Sequence, residues 1–431
     1  MPVFVKKIKE RYIMRYYYPD YFKTFKCAGG KACPDSCCHI WQITVDKKTL
    51  KKYKKVKGSL GRRMREKIDK KTGNIKPHGK ENRCEFLNKD NLCDIVLELG
   101  EGYLCHTCHT HPRHEEVYYN VRERSLAITC PIACKELLMR EEPVIIEMEE
   151  DSKKDQYYKY FDKPLFVQLE YVRDSMLKLV QDRSIGIWER MVLLLGMAHD
   201  IERRIIQRQP RKKNNILDRI KPLYPEFLLS EKEDIKRIIS AYSDVSACRQ
   251  MVPRVLYEKG KEKMPEPENI TSKQALTDML FTLCTMEPLR DTWIPYIRSI
   301  INIRSQMDDK EYKSSHEEFK NLITDVQLEQ LLFYFIYLYC CSATYDQMLL
   351  AKVKMAVANT IIIHELWFMK WLEEDKVLTI DAQAWIAHWF VREVENSDEN
   401  LEQWDSLMQR NQRFSLKTLI NIINSNLKEN L

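Results

Sequence analysis

Ten of the fourteen cysteines fall before residue 135, and no other feature of the chain narrows its folding options as much. They begin with Cys27, Cys33, Cys37 and Cys38, resume at Cys84, Cys93, Cys105 and Cys108, and close with Cys130 and Cys134. The rest of the chain holds only Cys248, Cys284 and the adjacent Cys340 and Cys341. Scattered cysteines act as small apolar residues, whereas a block this dense implies disulfides or a metal centre. The start, Met1 to Tyr21, mixes Lys, Arg and Tyr without the unbroken apolar stretch of a signal peptide. The longest apolar run, Leu331 to Cys341, falls well short of the roughly 20 residues a membrane span needs. A cytoplasmic protein with no membrane segment is therefore expected. Thiols stay reduced there, which favours metal ligation over disulfides.

Glycine usage indicates the fold class. There are eleven glycines, and only Gly260 lies beyond Gly196, so the C-terminal half lacks the punctuation of a glycine-rich β or α/β fold. From Leu165 onward a helical period takes over: Phe166, Leu169, Val172, Met176, Leu177 and Val180 recur at three- and four-residue steps. Further helices are expected near 188–207, 231–243, 275–286, 296–306, 327–342, 347–371, 379–396 and 399–409. The expectation is a mainly α protein: a small irregular α+β cysteine-rich metal domain over 1–140, a linker over 141–164 and a large helical domain over 165–431. Within the first domain, residues 40–46 suggest a short strand with Asp46 capping a following basic helix, about Lys48 to Lys71. Asn88 to Asn91 mark a turn, 117–128 a hairpin, and Cys130 to Leu138 a helix. Lys259 to Ser272, with Pro265 and Pro267, suggests an exposed loop.

Thiolates are soft ligands suited to zinc, copper(I) or iron–sulfur clusters. Cys33, Cys37 and Cys38 lie close enough to serve one cluster, with further thiolates from Cys84, Cys93, Cys108 or Cys130. One Cys-x-x-Cys knuckle, Cys105 to Cys108, lacks the matching partner that would argue for structural zinc. The neighbouring His106, His109, His111 and His114 stand outside the ligand set, since no His-Glu-x-x-His pattern is present. No Gly-x-Gly-x-x-Gly, Walker-type loop or Gly-x-Ser-x-Gly elbow occurs, which excludes nucleotide chemistry on the common folds and the usual serine hydrolases. The net charge is +7, with fifteen Lys or Arg between Lys47 and Lys80 against Glu66 and Asp69. That strip is either a solvated helix face or a surface for an acidic partner. Without interleaved aromatics, nucleic acid is disfavoured as that partner.

The order Cys27…Cys33-x-x-x-Cys37-Cys38, then Trp41 and Ile43 to Asp46, resembles the start of the flagellin lysine-N-methylase family. So do Arg83 to Leu87 with Leu92 to Ile95, Leu97 to Gly100, Thr107-Cys108, Pro112-Arg113 and Ser125-Leu126…Cys130-Pro131. The resemblance returns late, in Ala351 to Val357 and Val391 to Leu401. The N-terminal part is also similar to a broader group of zinc- or iron-chelating cysteine-rich proteins.

The family resemblance implies methyl transfer from S-adenosylmethionine to lysine ε-amines of flagellin, by a protein carrying a [4Fe-4S] cluster. Zinc is the alternative metal, and a non-catalytic iron- or zinc-binding protein the alternative function. The cysteines matching the family pattern are Cys27, Cys33, Cys37, Cys38, Cys84, Cys93, Cys108 and Cys130; Cys105 and Cys134 fall outside it. Eight thiolates exceed the four that one cluster needs, so either a second centre exists or some are structural. For the chemistry, Glu393 and Glu395 are candidates to steer a substrate ammonium or accept its proton, in a polar segment with Asn400. Arg113, beside Cys108, is a candidate to meet cluster sulfurs or a carboxylate.

Overall fold

A computed structural model describes residues 13–29, 32–39, 43–78, 83–152, 161–208, 225–259 and 272–427. The protein is mainly α, as its composition implies. Among the described residues the strands all lie before residue 152, in β1 (Met14–Pro19), β2 (Pro77–His78), β3 (Arg83–Cys84), β4 (Arg113–Tyr118), β5 (Val121–Leu126) and β6 (Ile146–Asp151). Four of them form one sheet in the order β4-β5-β1-β6, with β1 parallel to β5 and antiparallel to β6. β6 lies inside the stretch read as a linker. It is an edge strand whose residues Glu147 to Glu150 are all exposed, a pattern that charge alone does not distinguish from a loop.

The short helices of this region are α1 (Lys47–Tyr53), α2 (Gly58–Lys67), α3 (Asp94–Leu99), α4 (His106–Thr110) and α5 (Pro131–Leu138). Asp46 caps α1, its Oδ1 accepting from the Thr49 amide at 2.9 Å, and its Oδ2 also accepts from the His106 amide at 3.0 Å. The basic strip is two helices and not one. The chain turns between them, with Gly58 at φ +76°. The Val56 carbonyl then lies where a Cβ on Gly61 would collide with it. The turn at Asn88 forms as expected, Asn88 Oδ1 accepting from the Asp90 and Leu92 amides. The hairpin is β4–β5. Within 40–46 only the isolated Thr44–Asn74 bridge is seen, and Ile40, Trp41 and Gln42 lie outside the described residues.

The helical part runs through α6 (Lys163–Val180), α7 (Ile187–Arg208), α8 (Pro225–Ala241), α9 (Val245–Lys259), α10 (Ser272–Leu283) and α11 (Trp293–Gln306). It continues with α12 (Asp309–Lys320), α13 (Asp325–Tyr339), α14 (Ala343–Asp346), α15 (Leu349–Glu373), α16 (Ile380–Glu395), α17 (Asp398–Arg410) and α18 (Leu416–Asn426). Periodicity missed α9, which contains Pro253, and also α12 and α18. Most of the expected loop over Lys259 to Ser272, residues 260–271, lies outside the described residues.

α15 is apolar around its circumference and buried along nearly its whole length, so it forms the axis on which α7, α13, α16 and α17 pack. Two of its buried polar side chains are well matched. Asn359 accepts from Trp404 Nε1 at 2.8 Å, and Glu365 pairs with Arg304 while accepting from Tyr312 Oη at 3.0 Å. The sheet meets this core through Tyr118 stacked on Phe166 and through a buried Arg173–Glu123 ion pair. Among the described residues no helix is long and apolar enough to cross a membrane.

Candidate functional site

α16 connects the two parts of the molecule. One of its faces carries His388 and Arg392, both buried, and these reach the loop between Cys33 and Cys37. There the buried Asp35 carboxylate accepts from His388 Nε2 and from an Arg392 guanidinium nitrogen, each at 2.8 Å, and also pairs with Arg290. Burial alone would raise the Asp35 carboxyl, but His388, Arg392 and Arg290 outweigh it and hold the group well below the usual carboxylate range. Arg392 further donates to the carbonyls of Ser36 and His39. The cysteine loop is thus held from above by the helical part.

The polar segment after Arg392 divides its two candidate carboxylates between different tasks. Glu393 accepts from the Leu289 amide at 2.7 Å, and Asn400 bonds both the amide and the carbonyl of Glu287. Together they fix the turn that delivers Arg290 to Asp35. Glu393 is therefore a tie, although burial pushes its carboxyl up to about 7.

Glu395, half a turn further on, lines a cavity of about 440 Å³ between α13, α15, α16, α17 and the β4–β5 hairpin. Its carboxylate accepts from Tyr334 Oη at 3.2 Å and from Tyr339 Oη. Surrounding protein shields it, and burial pushes its carboxyl up to about 7. Burial likewise holds both phenols well above their usual range, so they remain donors. Across the cavity stand His114, bonded to Glu116, and Lys352, held between Asp346 and Asp405. Among the charged groups of a largely apolar lining, Glu116, Glu395, Glu402 and Asp405 outnumber Lys352 and His114. Such a chamber admits a slender cation with an aliphatic stem, and Glu395 can accept a proton near neutral pH.

The sequence pointed to Glu395 but not to Tyr334 or Tyr339, which sit in a run that reads as core. His114 was set aside as a metal ligand and lies instead on the cavity wall. Arg113 packs: it donates to the Phe25 carbonyl at 3.0 Å and lies over the Phe22 and Phe25 rings.

No disulfide links any of the fourteen cysteines. Cys84, Cys93 and Cys108 pack against one apolar cluster that buries Cys105, whereas Cys130 belongs to a second cluster with Tyr18, Phe22 and Phe25. Burial pushes the Cys84 thiol up to about 12 and Cys130 up to about 11. Cys105 and Cys108 hydrogen-bond each other, which lowers Cys105 and raises Cys108. The donor chemistry fits a thiophilic metal, and its number exceeds one centre. As the side chains stand, no group of three His, Cys, Asp or Glu among the described residues is arranged to hold a metal ion.

The family described as the FliB lysine N-methylase C-terminal domain matches residues 173–422, which include the clamp residues of α16 and most of the cavity wall. The chain is 35% identical over 127 residues to the flagellar biosynthetic protein FliU of Salmonella muenchen, covering 28% of this chain and 75% of that protein. It is also 35% identical over 127 residues to the lysine-N-methylases of Salmonella typhimurium and Salmonella choleraesuis, covering 31% of each. The matched segment thus spans about a third of those two enzymes. No solved structure matches. The chain belongs to the FliB lysine N-methylase family.

Proposed function

We propose that the protein is a protein-lysine N-methyltransferase that uses S-adenosylmethionine to methylate lysine ε-amines of flagellin. The observation that carries this reading is Glu395: a shielded carboxyl, titrating near neutrality, at the wall of a carboxylate-bearing cavity wide enough for a lysine side chain. A lysine arrives as its ammonium and cannot attack until it loses a proton. Glu395 takes that proton, and the Tyr334 and Tyr339 hydroxyls hold the carboxylate in place. The freed nitrogen lone pair then forms an N–C bond to the donor methyl as the C–S bond breaks, leaving the neutral thioether. The carboxylates of the lining favour both cationic reactants.

The lysine substrate is supported by the names of the relatives and by this cavity's chemistry, and flagellin as its bearer by the flagellar name of one relative. A [4Fe-4S] cluster on the N-terminal cysteines, or zinc in its place, belongs to the same proposal as a structural centre; the displacement itself needs no metal. Non-catalytic iron or zinc binding is the reading left standing if methyl transfer is absent.

The test is methyl transfer from labelled donor to flagellin by the purified full chain. Transfer should rise with pH through about 7 as Glu395 ionises. Glu395→Gln should lower kcat by about 10²–10⁴-fold and flatten that limb. Unmodified flagellin with metal-loaded protein would defeat the reading.

A further inference from the structure

Most polar side chains of the cavity wall already have partners in the protein, and two do not. We propose that these two, Thr129 and Asn396, seat the reacting nitrogen of the substrate lysine beside Glu395 by accepting hydrogen bonds from its N–H groups. This seat presupposes the methyl transfer proposed above and adds to it two residues that touch the substrate.

The engaged groups come first. Tyr334 and Tyr339 donate to Glu395, and His114 is bonded to Glu116. Lys352 is shared by Asp346 and Asp405, and Asp405 also accepts from Gln409 at 2.8 Å. The Ser342 hydroxyl donates to the Tyr339 carbonyl at 2.6 Å, and the Tyr345 hydroxyl to the Val117 carbonyl at 3.0 Å. Glu402 is exposed to solvent.

Thr129 lines the same cavity with only 4% of its surface exposed, and its hydroxyl bonds no other described residue. Asn396 directly follows Glu395 at the end of α16. Its backbone amide donates to the Arg392 carbonyl, while its side-chain amide likewise bonds no other described residue. Leaving a buried polar group unpaired costs free energy, so such groups are normally satisfied, and one that opens onto a cavity points to a polar atom of a ligand.

Both residues stand close to the proposed base. Asn396 is its neighbour in the chain. Ile128, which precedes Thr129, has its backbone against the Tyr334 hydroxyl that donates to Glu395. Hydroxyl and amide oxygens are neutral acceptors, so they orient an ammonium without competing for the proton that Glu395 takes. They then hold the freed amine through its remaining N–H groups and keep its lone pair aligned for attack. Leu338, Met355 and Leu401 supply apolar surface for the aliphatic stem.

The experiment compares binding of a lysine-bearing flagellin peptide with that of its norleucine counterpart, which keeps the stem and lacks the ammonium. The unsubstituted full chain should prefer the lysine peptide. Thr129→Val and Asn396→Ala should each cut that preference about tenfold, and Thr129→Ser, which keeps the hydroxyl, should retain it. In methyl transfer the same two losses should lower kcat/KM about tenfold while the rise through about 7 persists, unlike the flattening expected of Glu395→Gln. An unchanged lysine preference in both variants, with methyl transfer intact, would overturn the seat and leave the activity reading standing. Equal weakening of both peptides would assign the two residues to packing and overturn it as well. A chain that transfers no methyl but loses its lysine preference as expected would sink the activity reading and support the seat as a lysine-binding site.

Discussion

Around α15 the apolar side chains of the helical part merge into one continuous cluster that takes in α6, α7, α10, α13, α16, α17 and α18. Residues 43–108 gather a cluster of only ten buried residues, and one of those is Cys105. The first region is held by burial, which scales with apolar area. The second is a set of short helices, two-residue strands and isolated bridges, too small for burial to outweigh the entropy of ordering it. Small lobes of this kind commonly depend on a staple, and thiols at its seams supply the donors for one. The difference explains why cysteine density and irregular structure occur together here.

If the N-terminal thiols hold the proposed metal, removing it should separate the two regions most sharply. After chelation, amide hydrogen exchange over 43–108 is expected to approach that of an unfolded chain, since structural metal binding contributes about 10 kcal/mol or more to such folds. Exchange over 349–373 should stay slow. Uniform protection before and after chelation would erase the contrast.

The clamp between the regions comes next. Arg392→Ala leaves Asp35 buried with less compensation, and loss of one partner of a buried ion pair costs about 3–5 kcal/mol. The expected result is a lower denaturation midpoint, with exchange rising first around residues 33–39. An effect spread evenly over α16 would mean that Arg392 serves the bundle and not the junction.

Asp46→Ala is the smallest of the three. It removes the α1 cap and one acceptor for the His106 amide, for about 1 kcal/mol. The loss should appear in the midpoint of the N-terminal region alone, read by exchange at Thr49 and His106.

The helical part was legible in the sequence because its signal is local. A period near 3.6, little glycine and long apolar stretches placed most of the helices from α6 onward within a few residues. α9, α12 and α18 escaped, the first because Pro253 interrupts the pattern and α12 because charge dominates its exposed face. The cavity was half legible. Glu395 stood out as a polar residue in a segment with a recognisable pattern, but Tyr334 and Tyr339 lie in the apolar run of α13, where nothing local marks their hydroxyls as turned toward a carboxyl.

Glu393 and Glu395 show where a sequence reading stops. They are two residues apart on one helix, of one chemical type, and burial pushes both up to about 7. Yet one ties down the turn that carries Arg290 and the other faces a cavity, because a two-residue step turns a helix by roughly 200°. The sequence by itself determined that the chain is mainly helical, that its thiols are concentrated at the start, and that a polar segment near residue 395 stands out. Only the tertiary structure decided which carboxyl meets the cavity and that Asp35 is the joint between the regions. Periodicity and composition act over a few residues, whereas these outcomes depend on which distant surfaces pack together.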